Sequence, residues 1–107
     1  THCMAILMIY VTCADEDEAT RIADALLDKR LIACANIPAP HRAVYWWEGK
    51  TASEPEQGMI LKTKPERFDK VKETIVAMHS YDCPCIVAWD ADKGHAPFMQ
   101  WVGEETS

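Results

Sequence analysis

The sequence predicts a two-layer α+β fold in which helices cover one face of an antiparallel sheet. Segments rich in Ile, Leu and Val are typical of strands, and segments with helical apolar spacing lie between them. The helical segments also begin with acidic or proline-containing sequences, which are common in the first turn of a helix. A length of 107 residues is enough for one modest core. We therefore expect a single domain over residues 1–107.

The first strand and the first helix are predicted from adjoining segments. Residues 5–13 form a continuous apolar run, which indicates a central strand covered on both faces. Asp15 and Glu18 then have the spacing of a capping box. Apolar residues follow at intervals of three and four, at Ala19, Ile22, Ala23, Leu26 and Leu27. These patterns predict a helix over residues 15–30.

A long hairpin is predicted for the middle of the chain. Its first strand starts at residues 33–37, passes Pro38 and Pro40, and ends at two adjacent tryptophans before a turn at residues 48–49. Because proline cannot donate a ladder hydrogen bond, we expect a bulge or a sheet edge there. Residues 50–57 are polar, and the third strand is expected over residues 58–63. Two exposed tryptophans indicate that another subunit completes this segment.

The remaining elements complete the predicted topology. Thr63 and Glu66 repeat the capping-box spacing, and Phe68, Val71, Ile75 and Met78 give the buried face of a second helix. A fourth strand is expected over residues 85–89, and a short closing helix over residues 96–102. With right-handed crossovers, this order gives a ferredoxin-like βαββαβ sandwich with a long hairpin between its second and third strands.

Composition excludes several classes of function. A formal net charge of −6, without a basic stripe, argues against binding to nucleic acid. The longest apolar run is too short to span a bilayer, and no secretory signal precedes it, so a cytoplasmic protein without membrane insertion is expected. The five cysteines, an odd number, are expected to be reduced thiols. The sequence shows no nucleophile–base pair of the kind that enzymes use, so a non-enzymatic function is expected. No organic cofactor is predicted.

Motifs spread over nearly the whole chain resemble the CutA divalent-cation tolerance family. They lie at residues 15–20, 29–37, 44–50, 60–63, 66–68, 79–84 and 98–101. The resemblance implies a cytosolic homotrimer in which the long hairpin of one subunit extends the sheet of the next. It also implies tolerance of copper and other divalent metals, and the proposed copper ligands of the family match Cys13 and His79. Ser80, Asp82, Cys85 and Phe98 depart from the usual family pattern.

The predicted topology brings four candidate metal ligands to one end of the sheet. The first strand ends at Cys13, the second helix ends at His79, and the last strand begins near Cys83 and Cys85. Thiolate and imidazole ligands suit Cu(I) or Zn(II). We therefore hypothesise a site for copper or another divalent cation at this edge. The alternative is that these residues are ordinary core thiols and a surface histidine.

Two other functions remain open. Tyr45, Trp46, Trp47, Lys62 and Trp101 are candidates for a subunit interface, and they could also line a cleft between subunits for a small regulatory ligand, as in the similarly folded PII signal proteins. A trimeric anchor for a partner protein is the third possibility.

Overall fold

The computed structural model describes residues 5–107, which form a mixed α+β fold with an antiparallel sheet and three helices. Cys3 lies outside the described residues. The strands are β1 (Ile6–Cys13), β2 (Cys34–Asn36), β3 (His41–Trp47), β4 (Lys50–Thr63) and β5 (Ile86–Ala91). The helices are α1 (Glu16–Asp28), α2 (Phe68–Met78) and α3 (Ala96–Glu105).

β1 is an inner strand of the sheet, as the apolar run predicted, but its second face is only partly covered rather than fully covered. The strand order is β2-β4-β1-β5, and β3 pairs with the far half of β4. In the antiparallel register, Cys13 lies opposite Gln57 and Leu7 lies opposite Thr63. Because side chains alternate between the faces of a strand, this register places Cys13 and Gln57 on the same face.

Helices α1 and α2 cover one face of the sheet and form the main core with it. The buried side chains from β1 and α1 include Ile9, Val11, Ile22 and Leu26, none of which is accessible to solvent. The predicted cap of α1 is confirmed, because the Glu18 N–H donates to Asp15 Oδ1 at 2.8 Å. The apolar stripe of α1 therefore forms the core as its spacing predicted.

The predicted second strand is divided in two. Residues 37–40 separate β2 from β3, and both prolines lie in this break because they cannot donate to a ladder. The turn at residues 48–49 is confirmed: Glu48 and Gly49 have φ values of 50° and 81°, the positive pair that a tight two-residue hairpin requires.

The predicted third strand was too short. β4 begins at Lys50 rather than Gly58, because its polar first half pairs with β3 in an arm that extends beyond the helices. In that arm backbone pairing maintains the strand, and most side chains on both faces are exposed. An apolar pattern is consequently absent from a segment that is nevertheless a regular strand.

The predicted cap of the second helix was wrong. A 3-10 turn at Pro65–Arg67 precedes α2, whose N-cap makes no side-chain hydrogen bond. Thr63 instead lies at the buried end of β4, where its hydroxyl donates to the Leu31 carbonyl oxygen at 2.7 Å. The last strand and helix also differ from the predicted bounds, since β5 starts at Ile86 and α3 continues to Glu105.

The second face of the sheet is only partly covered. α3 packs on one end of it, where Met99 and Val102 form a small core with Ile6 and Ala33. Beyond α3, this face exposes Val87 and Trp89 of β5. Among the described residues, no helix is long and apolar enough to cross a membrane.

Candidate metal-binding cluster and adjacent cleft

Cys13 ends β1 with its side chain on the helix-covered face, where it is fully buried. Burial raises the pKa of the Cys13 thiol to about 12, and the negative charges of Glu18 and Asp15 contribute in the same direction. Cys13 is therefore a neutral thiol near pH 7. A metal ligand at this position would have to release its proton.

Glu18, in the first turn of α1, is a buried carboxylate held by backbone donors. Oε1 accepts the Ala14 N–H at 2.9 Å, and Oε2 accepts the Ser80 N–H at 2.8 Å. Burial acts to raise the pKa of Glu18, but these hydrogen bonds outweigh it and the pKa is lowered overall. Glu18 is thus an anion that joins the start of α1 to the segment after α2.

His79 caps the C-terminus of α2, and both of its ring nitrogens contact the backbone. The Tyr81 N–H donates to Nδ1 at 3.0 Å. Nδ1 must then be the unprotonated nitrogen, so Nε2–H donates to the Thr12 carbonyl oxygen at 2.7 Å. These two bonds assign the neutral tautomer with the proton on Nε2. They also tie the end of α2 to the end of β1.

Cys13, Glu18 and His79 form one compact cluster, with a possible ligand atom of each residue within 4.8 Å of the others. A sulfur, a carboxylate oxygen and an imidazole nitrogen are a suitable ligand set for Zn(II) or copper. Gln57, directly across from Cys13, adds a buried Oε1 without a hydrogen-bond partner among the described residues. The ligand chemistry suits a metal, but the thiol proton and the two bonds of His79 oppose binding in this conformation.

Cys83 and Cys85 lie apart from this cluster. Both are exposed, and both line a cleft of about 820 Å³ with Tyr10 and Thr12 of β1. Side chains alternate between the two faces of a strand, so Tyr10 and Thr12 lie on the face opposite the Cys13 side chain. The cleft is therefore on that opposite face. The structure thus brings Cys13 together with His79, and places Cys83 and Cys85 around a different space.

The predicted interface residues occupy two regions. Tyr45 and Trp47 line the cleft from β3, while Trp46 faces the other way and is 76% exposed. Lys62 is not among the cleft residues: its Nζ donates to Asn36 Oδ1 at 2.5 Å and lies 5.8 Å from the Phe98 ring centroid. Trp101 is on α3, with its ring 5.8 Å from that of Phe98.

Sequence reasoning treated Glu18 only as part of a capped helix start. The Asp15–Glu18 spacing indicated the cap, but no local pattern indicates that the Glu18 carboxylate accepts an N–H from residue 80. The sequence likewise carries no local signal for the contact between His41 Nε2 and Glu56 Oε1, which are 3.1 Å apart across the hairpin. Both partnerships depend on residues that are distant in the chain.

We expect the thiols to differ strongly in reactivity. At pH 8, iodoacetamide should modify Cys83 and Cys85, which are exposed, and leave Cys13 unmodified, because Cys13 is buried and its pKa is about 12. Peptide mapping by mass spectrometry measures each site, and alkylation in denaturant provides the control for full reactivity. Native modification of Cys13 at a rate similar to that of Cys83 would contradict the structure.

Comparison with known proteins agrees with the fold and with the motifs. The family described as "CutA1 divalent ion tolerance protein" matches residues 7–105. The divalent-cation tolerance protein CutA of Pyrococcus horikoshii is 42% identical over 101 residues, covering 94% of this chain and 98% of that protein. The Archaeoglobus fulgidus protein of the same name is 45% identical over 96 residues, covering 90% and 93%.

Solved structures give the same result. The Archaeoglobus fulgidus CutA structure superposes with a TM-score of 0.92 at 42% identity, covering 95% of this chain and 99% of that one. The CutA1 structure from Oryza sativa superposes with a TM-score of 0.93 at 30% identity, covering 98% and 96%. The similarity in sequence and in fold extends over nearly the full length of this chain and of the chains compared with it. This chain therefore belongs to the CutA1 divalent ion tolerance family.

Proposed function

We propose that the protein contributes to divalent-cation tolerance by binding copper, or a similar ion, through Cys13 and His79, with Glu18 as an additional ligand. The observation that carries this proposal is the convergence of sulfur, oxygen and nitrogen ligand atoms within 4.8 Å. The proposed role is binding rather than catalysis. Cys83 and Cys85 remain candidate copper ligands, at a place separate from the cluster.

Binding at the cluster has a definite energetic cost. Cys13 must lose a proton with a pKa of about 12, and one nitrogen of His79 must exchange its backbone partner for the metal. Affinity should therefore increase with pH, and it should require a local movement of the segment after α2. Glu18 needs no such change, because its pKa is lowered and it is already ionised.

A Cu(I) competition titration under reducing conditions tests the proposal, with a chelator of known affinity as the competitor. We expect Cys13→Ser and His79→Ala each to weaken binding by at least about tenfold, the size expected when a ligand or its supporting group is lost. His95→Ala is the matched control, because His95 is exposed at the start of α3. Cys83→Ser/Cys85→Ser measures the contribution of the exposed thiols.

The outcomes separate the alternatives. Tight binding that survives in both Cys13→Ser and His79→Ala would exclude the cluster as the copper site. Loss confined to Cys83→Ser/Cys85→Ser would assign copper to the exposed thiols instead.

We further propose that the chain assembles as a ferredoxin-like homotrimer. The support is apolar surface left open on one subunit: Val87 and Trp89 on the sheet, and Val44, Trp46 and Trp47 on the hairpin. Another copy of the chain, packed on the open face of the sheet, would bury this apolar surface. A trimer that anchors another protein, or that binds a small ligand between subunits, remains an alternative use of the same assembly.

A cytoplasmic location remains a prediction. Relatives carry different compartment names: the Archaeoglobus fulgidus structure is described as periplasmic, and the Oryza sativa relative as chloroplastic.

A further inference from the structure

The open face of the sheet continues into the hairpin, and the cleft is part of this continuous surface. The cleft has an aromatic wall, formed by Tyr10, Tyr45, Trp47 and Tyr81. Trp47 belongs to the proposed subunit contact, and so does Val87, which pairs with Tyr10 across the strands. Another copy of the chain would therefore cover the cleft on assembly. One subunit supplies only half of this site, and a second subunit must complete it.

The charge of the cleft has one sign. Glu54, Glu56 and Asp82 line it, and no Lys or Arg among the described residues does. The Glu56 side chain is only 17% exposed in one subunit, and its Oε1 lies 3.1 Å from His41 Nε2. An apolar surface placed over these carboxylates would remove their water without giving them a partner, which costs free energy. We therefore expect the covering surface to bring a cation.

Lys62 provides a cation on the same face of the sheet, towards the other end of β4. It pairs with Met8, which packs with the small core under α3. Lys62 Nζ donates to Asn36 Oδ1, but no carboxylate among residues 5–107 forms an ion pair with it. Because an ammonium group has three donors, Lys62 retains the capacity to donate to a carboxylate.

Within one chain, Lys62 cannot reach the cleft. It is six residues from Glu56 along β4, which at the rise of a strand corresponds to about 20 Å. The two side chains together are too short to bridge this distance. Only a second copy of the chain can bring these two charges into contact.

We propose that the cleft of one subunit receives Lys62 of the partner subunit, so that the hairpin end of one open face packs against the α3 end of the next. Phe98 and Trp101 lie at that α3 end, and their rings are 38% and 39% exposed, so they would cover the aromatic wall. Two hairpin ends packed together would instead place like charges side by side. This inference rests on the proposed assembly and names the contact that orients it.

Sedimentation velocity over a range of concentrations tests the contact with charge-reversal variants of the full chain. Lys62→Glu and Glu56→Lys should each raise the dissociation constant of the assembly by at least about tenfold, because each places like charges at the contact. Lys70→Glu and Glu73→Lys are the matched controls, because they make the same charge changes on the exposed side of α2. Both controls should assemble as the unmodified protein does. Far-UV circular dichroism checks that every subunit is folded.

The two changes should compensate each other. The double variant Glu56→Lys/Lys62→Glu restores opposite charges at every contact, so it should assemble more tightly than either single variant. An equimolar mixture of the two single variants should also assemble more tightly than either alone. Each single variant lacks one member of the pair, so recovery in the mixture can come only from contacts between different chains.

The outcomes distinguish this contact from the assembly itself. A Lys62→Glu protein that assembles like Lys70→Glu, while Val87→Asp dissociates, would overturn the inference and leave the proposed assembly in place. A double variant that assembles no more tightly than the single variants would overturn it as well. An unmodified protein that is monomeric at micromolar concentration would refute both the assembly and the contact.

Discussion

Replacing Glu18 by Gln should destabilise the fold by roughly 2 kcal/mol, because both carboxylate oxygens accept backbone N–H groups. Glutamine keeps the shape of the side chain but replaces one of the two acceptor oxygens with an NH₂ group, which can only donate. One N–H, from Ala14 or Ser80, would therefore face an NH₂ group in a place where the side chain is only 5% exposed. The measurement is chemical denaturation at fixed protomer concentration, since assembly contributes to apparent stability.

Glu16→Gln is the matched control for this change. Glu16 is in the same helical turn but exposed, so its replacement should alter the free energy of unfolding by no more than about 0.5 kcal/mol. Similar losses in the two variants would show that charge near the start of α1, rather than the buried hydrogen bonds, carries the effect.

The same carboxylate gives a pH dependence of known sign. Because folding lowers the pKa of Glu18 below its ordinary value of 4.5, its stabilisation is fully present above that pH. It is lost as the pH falls through the lower pKa of the folded protein. Glu18→Gln should remove this part of the acid sensitivity, so the difference between the two proteins should shrink below about pH 4.

Val87→Asp should convert the proposed trimer into monomers at micromolar concentration. Val87 is 52% exposed on the open face of the sheet, where a charged side chain in a subunit contact would lose its water without gaining a partner. Sedimentation velocity measures the change directly. The fold of the subunit should persist, because no core residue is altered.

Val76→Asp is a close control, because Val76 is also 52% exposed but lies on α2, on the other side of the molecule. It should leave the assembly unchanged. A Val87→Asp protein that keeps its assembly, or a Val76→Asp protein that dissociates equally, would show that subunits meet through another surface.

Elements with a local physical cause were predictable from the sequence. The cap of α1 requires only an Asp three residues before a Glu, and its buried face requires only apolar residues at helical spacing. The hairpin turn likewise depends on two adjacent residues with positive φ. The first half of β4 was missed because an exposed strand needs no apolar pattern when its partner strand supplies the hydrogen bonds.

The candidate sites were only partly predictable. The topology indicated that Cys13 and His79 would lie at one end of the sheet, because strand order and helix direction place them there. It could not indicate that Cys83 and Cys85 line a cleft on the opposite face of the sheet from Cys13, since their position depends on the path of an irregular segment. The tautomer of His79 was equally inaccessible, because it depends on a carbonyl 67 residues away.

By itself, the sequence determined the family, the element order and the inner position of β1, because these follow from local spacing and from motifs carried by adjacent residues. Only the tertiary structure decided which groups share a site. Glu18 joins the cluster, and the acidic aromatic cleft forms, through contacts between residues far apart in the chain. The physical reason is that pKa and charge depend on distances in space, which chain packing sets and sequence spacing does not.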